Sequence, residues 1–367
     1  MFHTLKSAFK FSFRKKHPNL FDLFQEQWLI WSSAPRFINL KWEPIEDIPI
    51  ERVEAAGVIA HDKLYVIGGY YTLDKVISRV DVWDLKTHRW GQGIDFPSHI
   101  AQTHQGIDCE NSRYIYNITG QVGIQCSPCV SNCYVFDLET RQWNTLPPLP
   151  KGRYAPMTRL WKGRIHVVGG SQEDRVTPAN EHWSLAVKDG KALEDHWREE
   201  PPIPLGGPHR ASAVVGDELF VLGAQQGDRP PIPGDPRFTC DWKTKDEIFY
   251  RDCFALKQGS QNWRRLADIP VPASHTEFST FVLNKSIVVI GGLTERKIMT
   301  DLIQVYETTT NTWKIIGRLP IRNKGCVALY YQGWLYVIAG QKQAGRLNPA
   351  FGQVIKSGWR ARFSESL

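Results

Sequence analysis

The amino-acid sequence predicts an all-β fold in which six similar four-stranded sheets pack radially around one axis. Three observations predict it: a six-fold repeat that ends in two small residues, a series of Trp residues in phase with that repeat, and the composition. The 367 residues include 29 Gly, 23 Pro and 14 Trp. So many turn formers and aromatic residues favour short strands and tight turns over long helices.

The first element of the repeat is a short apolar run that closes on two small residues. It occurs six times, at Gly68-Gly69, Thr119-Gly120, Gly169-Gly170, Gly223-Ala224, Gly291-Gly292 and Ala339-Gly340. The second residues of these pairs are 51, 50, 54, 68 and 48 positions apart. Such a period indicates a repeat fold in which one unit cannot bury both faces alone. We expect this strand to be the innermost of each sheet, where small residues let neighbouring sheets approach.

The second element is a Trp that follows a polar turn. The six members are Trp42, Trp90, Trp143, Trp197, Trp263 and Trp313. In three repeats an acidic residue, a polar turn and the Trp share one spacing, as in Asp84–Trp90. This pattern predicts a third strand, a turn and an outer strand whose Trp covers the space between adjacent sheets.

Closure of the ring follows from the order of these elements. Trp42 precedes the first glycine pair, whereas the C-terminal segment through Phe363 supplies inner strands with no outer strand after them. The strand around Trp42 should therefore complete the sixth sheet, with Trp359 on its third strand. The sequence thus predicts a six-bladed β-propeller over residues 40–363, an N-terminal tail at 1–39 and a short tail at 364–367.

The N-terminal tail is rich in Phe and basic residues. Five Lys or Arg occur before residue 17, and no acid occurs before Asp22. The tail could form a short amphipathic helix on an anionic membrane surface or act as a targeting segment; a solvated tail is the alternative. No run reaches the roughly 18 to 20 apolar residues of a membrane span. The net charge of +7 does not predict nucleic-acid binding, because basic residues of the body alternate with acids.

The glycine pair, the aromatic residues and the Trp at these offsets resemble the kelch repeat, over roughly residues 40 to 363. Three stretches resemble plant kelch-repeat proteins of the Golgi whose propeller follows a membrane anchor: Pro150–Pro156, Glu181–Leu193 and Gly206–Ala211. The resemblance implies a Golgi or secretory location, although the anchor is missing from this sequence. Without that targeting, a cytoplasmic location is expected.

Polar residues at the entrance of each innermost strand are the best candidate binding site. Aligned on the glycine pairs, they are Arg52, Glu54, Thr103, His104, Arg153, Tyr154, His209, Arg210, His275, Glu277, Asn323 and Lys324. They are expected to surround one mouth of the central channel. Arg suits bidentate capture of carboxylates, so this ring would fit an acidic peptide or an anionic sugar. The alternative is that these residues pair with each other to satisfy the channel.

Four cysteines and one long loop stand apart from the repeat. Cys126, Cys129 and Cys133 are close in sequence, and Cys240 lies in the overlong segment 225–248. We expect disulfides among them or idle thiols; a zinc site would need four ligands, with Cys109 or Cys240 as candidates for the fourth. Segment 225–248 could be a functional lid or a tolerated insertion. No metal or other cofactor is predicted.

The sequence therefore predicts a monomeric, non-catalytic module that binds a protein or peptide partner through the mouth ring and the long loops. The resemblance carries this prediction, together with the absence of any catalytic constellation. Any membrane association would involve the N-terminal tail alone. The alternative is a carbohydrate-binding or carbohydrate-processing propeller of the secretory pathway, such as a lectin or a sugar isomerase, since functions are grafted onto folds.

Overall fold

The computed structural model describes residues 28, 31–32, 37–72, 75–123, 127–227, 248–294, 298–345 and 348–364. The N-terminal tail through residue 27 and the loop at 228–247 lie outside these ranges, so the predictions for them stay predictions. Regular structure in the described ranges is almost entirely antiparallel strand. No helix among the described residues has the length and apolar character of a membrane span.

Six sheets, here called blades 1 to 6, follow one another along the chain, and each is given with its strands from first to fourth. Blade 1 consists of Ala56–Ala60, Lys63–Ile67, Arg79–Asp84 and Arg89–Trp90, with Ile94–Asp95 also on the third strand. Blade 2 consists of Gly106–Glu110, Tyr114–Gln121, Cys129–Asp137 and Gln142–Leu146. Blade 3 consists of Met157–Trp161, Arg164–Val168 and His182–Lys188, which pairs with both Lys191–Ala192 and Arg198–Glu200.

The remaining blades follow the same order. Blade 4 consists of Ala211–Val215, Glu218–Gln225, Phe249–Lys257 and Arg264–Arg265. Blade 5 consists of Thr280–Leu283, Ser286–Ile290, Leu302–Glu307 and Thr312–Arg318. Blade 6 consists of Val327–Tyr331, Trp334–Ile338, Gly358–Arg362 and Glu43–Ile45. A small separate sheet is formed by Asn323–Lys324, Gln341–Gly345 and Asn348–Val354.

The first strands of the six blades surround the axis. Each contacts the first strand of the next blade, and Val327–Tyr331 of blade 6 contacts Ala56–Ala60 of blade 1, which closes the ring. The predicted all-β propeller is confirmed in this arrangement. One detail was wrong: the strand that ends in the glycine pair is the second from the axis. In blade 1 the pair follows that strand, and Gly68 and Gly69 have φ of 61° and 93°, in the left-handed region that favours glycine.

The N-terminal strand closes blade 6 as the sequence predicted. Glu43, Pro44 and Ile45 pair antiparallel with Arg360, Trp359 and Gly358. Trp359 lies on the third strand of this blade, which is the place expected for it. A strand from one end of the chain thus completes a sheet whose other three strands come from the opposite end.

The Trp series joins neighbouring blades. Five of its members donate an indole hydrogen bond to a backbone carbonyl at or just after the outer strand of the preceding blade. The bonds run from Trp42 to Arg318 (3.0 Å), Trp90 to Glu46 (3.0 Å), Trp197 to Pro147 (2.8 Å), Trp263 to Pro201 (2.9 Å) and Trp313 to Ala267 (3.0 Å). Trp143 packs instead on Phe96, with ring centroids 5.9 Å apart. These contacts confirm that the Trp residues cover the space between blades.

Candidate functional site

The entrance of each first strand contains one residue with a left-handed backbone. These residues are Glu54 (φ 57°), His104 (54°), Ala155 (41°), His209 (57°), His275 (59°) and Gly325 (57°). Left-handed non-glycine residues concentrate at binding and switch sites, where the surrounding structure stabilises the strained backbone. The backbone therefore defines six equivalent positions around the axis. Alignment of the repeats on their glycine pairs selected Tyr154 and Lys324 in blades 3 and 6. The left-handed position in these blades is the next residue, Ala155 or Gly325.

Glu54 is the centre of a buried group of polar side chains. Its carboxylate lies 3.0 Å from His104 Nε2, 3.2 Å from His275 Nε2 and 3.1 Å from Lys324 Nζ. The Glu54 side chain is only 7% exposed. The group thus joins the entrances of blades 1, 2, 5 and 6 through one shared carboxylate.

Two more blades join the group through His209 and Tyr154. The imidazole of His209 stacks on that of His275, with centroids 3.9 Å apart and planes 8° from parallel. His209 Nδ1 lies 2.8 Å from a carboxylate oxygen of Glu277. The rings of His209 and Tyr154 lie 5.2 Å and 5.9 Å from the ring of His104.

Sequence reasoning missed three residues of this group: Tyr70, Gln121 and Arg175. Tyr70 donates a 3.1 Å hydrogen bond to Gln121 Oε1, and Arg175 donates one of 3.2 Å to the same oxygen. The guanidinium of Arg175 lies 4.8 Å from the centroid of the Tyr154 ring. Tyr70 and Gln121 each follow the second residue of a glycine pair, so the repeat contained a signal for them. Arg175 lies in a loop without a repeat, and nothing in the pattern marks it.

We call these ten residues the axial polar cluster: Glu54, Tyr70, His104, Gln121, Tyr154, Arg175, His209, His275, Glu277 and Lys324. All are buried except Glu277, whose side chain is 13% exposed. Their contacts are largely with one another, which is the self-pairing alternative that the sequence left open. Binding of a ligand by these residues stays a prediction.

Five predicted site residues lie outside the axial polar cluster: Thr103, Asn323 and three arginines, whose contacts follow. Arg52 forms a buried ion pair with Asp81 and donates a 3.1 Å hydrogen bond to the Gly68 carbonyl. Arg153 lies 4.6 Å from the centroid of the Trp183 ring. Arg210 donates to the Asp252 carbonyl at 2.8 Å. All three side chains are at most 1% exposed. They hold neighbouring strands and loops in place.

Burial and pairing act in opposite directions on the pKa values of the axial polar cluster. Burial alone would raise the pKa of Glu54, but Lys324 and the hydrogen bonds from His104 and His275 keep that pKa well below its usual value. Burial lowers the pKa of His104, and burial together with His209 and Lys324 lowers the pKa of His275 to about 4. The cluster therefore contains neutral His104 and His275 beside an ionised Glu54 at neutral pH.

Acid is expected to destabilise the protein through His275. Between its folded-state pKa of about 4 and an unfolded-state value of about 6.5, the unfolded chain binds more protons, so stability falls as pH falls. One such His contributes about 1.4 kcal/mol per pH unit within this window. Urea unfolding of His275→Gln between pH 7 and pH 4 should show a shallower decline than wild type. His99→Gln, an exposed position, is the control; equal slopes for wild type and His275→Gln would refute the assignment.

An axial cavity of about 330 Å³ lies beside the axial polar cluster. Residues at or near the first strands of all six blades line it, which places it on the axis. Its wall includes Val58, Ile59, Phe281 and Val282, the last exposed over 36% of its surface. These side chains give the cavity an apolar wall that meets solvent at Val282.

Three ionisable side chains lie in the wall of the axial cavity: Asp108, Arg159 and Glu277. Asp108 accepts hydrogen bonds from the backbone N–H groups of Leu160 (2.6 Å) and Cys109 (2.7 Å). Arg159 donates to the carbonyl of Ser212 at 2.8 Å. Burial raises the pKa of Asp108 and lowers that of Arg159, and each charge opposes the shift of the other. Because one guanidinium lies among two carboxyl groups, the wall does not select an anionic ligand.

The structure describes two of the four cysteines singled out in the sequence. Cys129 and Cys133 are free thiols, which is the idle-thiol alternative of the prediction. They lie four residues apart on one extended strand, which separates their Cα atoms by about 13 Å, beyond disulfide reach. Burial raises the pKa of both thiols to about 12. Cys126 and Cys240 lie outside the described residues. Within the described ranges, no three His, Cys, Asp or Glu side chains are grouped to hold a metal ion.

Comparison with known proteins identifies the repeat as a kelch motif. The family model for the Kelch motif matches residues 51–91, which include the first to fourth strands of blade 1. A kelch repeat-containing protein of Arabidopsis thaliana is 42% identical over 88% of this chain and 76% of its own length. Human Kelch-like protein 23 is 23% identical over 73% of this chain, and the match spans 50% of that protein.

A solved structure supports the fold. The structure of YjhT matches with a TM-score of 0.65 over 86% of this chain and 95% of its own, at 14% sequence identity. Identity this low shows a shared architecture alone. The family follows from the Arabidopsis relative, whose similarity extends over most of both proteins. The chain belongs to the family of kelch-repeat proteins.

Proposed function

We propose that this chain is a non-catalytic binding module that takes up a protein or peptide partner at its axial cavity. The kelch-repeat family, whose members commonly act as protein-interaction modules, supports the class of function. The observation that carries the site is the axial cavity itself, which all six blades line. At about 330 Å³ it falls within the size range of ligand pockets, and mainly apolar walls with a few polar groups are typical of them.

The chemistry of the axial cavity favours an apolar side chain as the anchor of the partner. Val58, Ile59, Phe281 and Val282 form an apolar wall, and the single positive side chain, Arg159, is outnumbered by the carboxyl groups of Asp108 and Glu277. Burying a Val, Leu, Ile or Phe side chain there would contribute about 1.5 to 3 kcal/mol. An acidic partner, as the mouth ring suggested, finds no excess positive charge in this cavity. The polar groups would instead fix the orientation of the partner backbone.

A charge at the cavity edge is expected to abolish partner binding. Val282→Glu places a carboxylate beside the apolar wall, and affinity should fall at least about tenfold, since about 1.4 kcal/mol corresponds to a factor of ten. Leu193→Glu is the matched control, because Leu193 is exposed over 63% of its surface and does not line the cavity. Affinity capture with full-length wild type should recover one recurrent protein, retained by Leu193→Glu and lost with Val282→Glu.

Other results would count against the proposal. Retention of the partner by Val282→Glu would exclude the axial cavity as its binding site. Saturable thermal stabilisation by a sugar, with no recurrent protein recovered, would favour the carbohydrate alternative. A Golgi or secretory location stays a prediction, and proximity labelling of the full-length protein would report compartment and partner together.

A further inference from the structure

A second cavity lies in the cleft between blades 3 and 4, away from the axis. Its volume is about 600 Å³. One side is formed by Trp161, His166 and Arg198 of blade 3, and the other by the end of the third strand of blade 4 and the turn after it, from Leu256 to Gln261. Nothing in the proposed partner-binding role uses this cleft.

The hydrogen bonds around His166 define its protonation. His182 Nδ1 lies 3.2 Å from the Pro201 carbonyl, which can only accept, so His182 carries its proton on Nδ1. His182 Nε2 lies 2.8 Å from His166 Nδ1 and accepts a hydrogen bond from it. Burial lowers the pKa of both rings, so each is neutral at neutral pH. His166 therefore has an unprotonated Nε2, a hydrogen-bond acceptor.

That acceptor has no donor among the described residues. His166 is 5% exposed and lines the cleft, yet its hydrogen bonding in the described part of the chain involves only Nδ1. Trp161, also 5% exposed, lies beside it with ring centroids 5.0 Å apart. The indole N–H of Trp161 likewise has no acceptor within the described residues. A buried polar atom without a partner, such as this indole N–H, is rare in native proteins and costs about 1 to 3 kcal/mol.

The charges at the rim of the cleft are paired. Lys162 lies 2.6 Å from Asp217, Arg164 lies 2.7 Å from Glu194, and Arg198 forms an ion pair with Glu200. Lys257 and Glu199 add one charge of each sign to the lining. Since the rim has no excess charge, it favours a neutral ligand over an anion or a cation.

We propose that this cleft binds a neutral ligand through a hydroxyl or carboxamide group that donates to His166 Nε2 and accepts from Trp161 Nε1. Both groups combine a donor with an acceptor and carry no charge. The contacts supply the two hydrogen bonds that the described protein residues leave unmade. Pro201, Pro202 and Leu256 give the cleft an apolar wall against the carbon skeleton of such a ligand.

The test uses the full-length protein with three small probes. Myo-inositol presents hydroxyls, propionamide presents a carboxamide, and propionate is an anion of similar size. The indole N–H resonance of Trp161, assigned by its loss in Trp161→Phe, should shift saturably with at least one neutral probe and not with propionate. The responding probe distinguishes a hydroxyl ligand from a carboxamide ligand. Long-range ¹H–¹⁵N spectra should show His166 as the Nδ1–H tautomer.

Variants separate a ligand contact from a structural role. His166→Asn keeps a hydrogen-bond donor close to the position of Nδ1 and removes Nε2. Calorimetry should therefore show at least about tenfold weaker binding of the probe, while the thermal unfolding midpoint stays nearly unchanged. Trp161→Phe should weaken binding in the same way, and His196→Asn, at an exposed position, should not. The proposal would be overturned by the absence of a saturable shift, by an Nε2–H tautomer of His166, or by unchanged affinity in both His166→Asn and Trp161→Phe. Water alone would then occupy the cleft.

Discussion

Deletion of residues 1–46 is expected to lower the free energy of unfolding by about 5 kcal/mol, because it removes the strand that closes blade 6. The loss of the partly buried Trp42 side chain accounts for about 3 kcal/mol and that of Ile45 for about 2 kcal/mol. The deletion also removes the hydrogen bond from Trp42 to Arg318 and the acceptor of Trp90 at Glu46. Urea unfolding followed by Trp fluorescence measures the change.

A shorter deletion serves as the control for this prediction. Removal of residues 1–36 keeps Trp42, the closing strand and the hydrogen bond from the Ile38 N–H to the Ile316 carbonyl, so stability should change little. The longer deletion also leaves Gly358–Arg362 as an unpaired edge, and exposed edges promote association. Soluble, monomeric protein of unchanged stability after loss of residues 1–46 would show that the ring does not depend on its closing strand.

The sequence predicted the blades well because their determinants are local. An apolar run, a pair of small residues and a Trp at fixed offsets impose strand, tight turn and interblade contact, and each acts over a few residues. The place of the glycine pair was less predictable. A left-handed turn next to a crowded axis needs glycine whether it follows the first strand or the second strand of a blade. The glycine pair alone therefore did not show which of these strands it follows.

The site was harder to predict, because spacing locates a backbone position and does not fix the direction of a side chain. Arg52 and Glu54 are two residues apart at one strand entrance, yet Glu54 joins the axial polar cluster and Arg52 pairs with Asp81 within its blade. The left-handed positions that define the entrances are occupied by Glu, His and Ala as well as Gly, so their conformation leaves no mark in the sequence. Arg175 reaches the cluster from an irregular loop.

The second large effect is expected at the ion pair of Arg52 and Asp81. Both side chains are 0% exposed, and burial lowers the pKa of Arg52 to about 10 although Asp81 opposes the shift. Arg52→Met removes one partner of a buried carboxylate, which among the described residues then keeps its ion pair with Arg79 at 2.7 Å. Breaking a buried pair on one side costs about 3 to 5 kcal/mol. Urea unfolding of Arg52→Met and Asp81→Leu should each show a loss of this size.

The double variant tests the pairing itself. Arg52→Met with Asp81→Leu leaves neither charge buried without its partner, so it should be more stable than either single variant. Lys314→Met at the surface pair with Glu307 is the control, and a loss below about 1 kcal/mol is expected there. If Arg52 served a ligand instead, Arg52→Met would weaken partner binding while stability stayed near wild type. The buried pair predicts the opposite result, a destabilised protein whose folded fraction still binds its partner at the axial cavity.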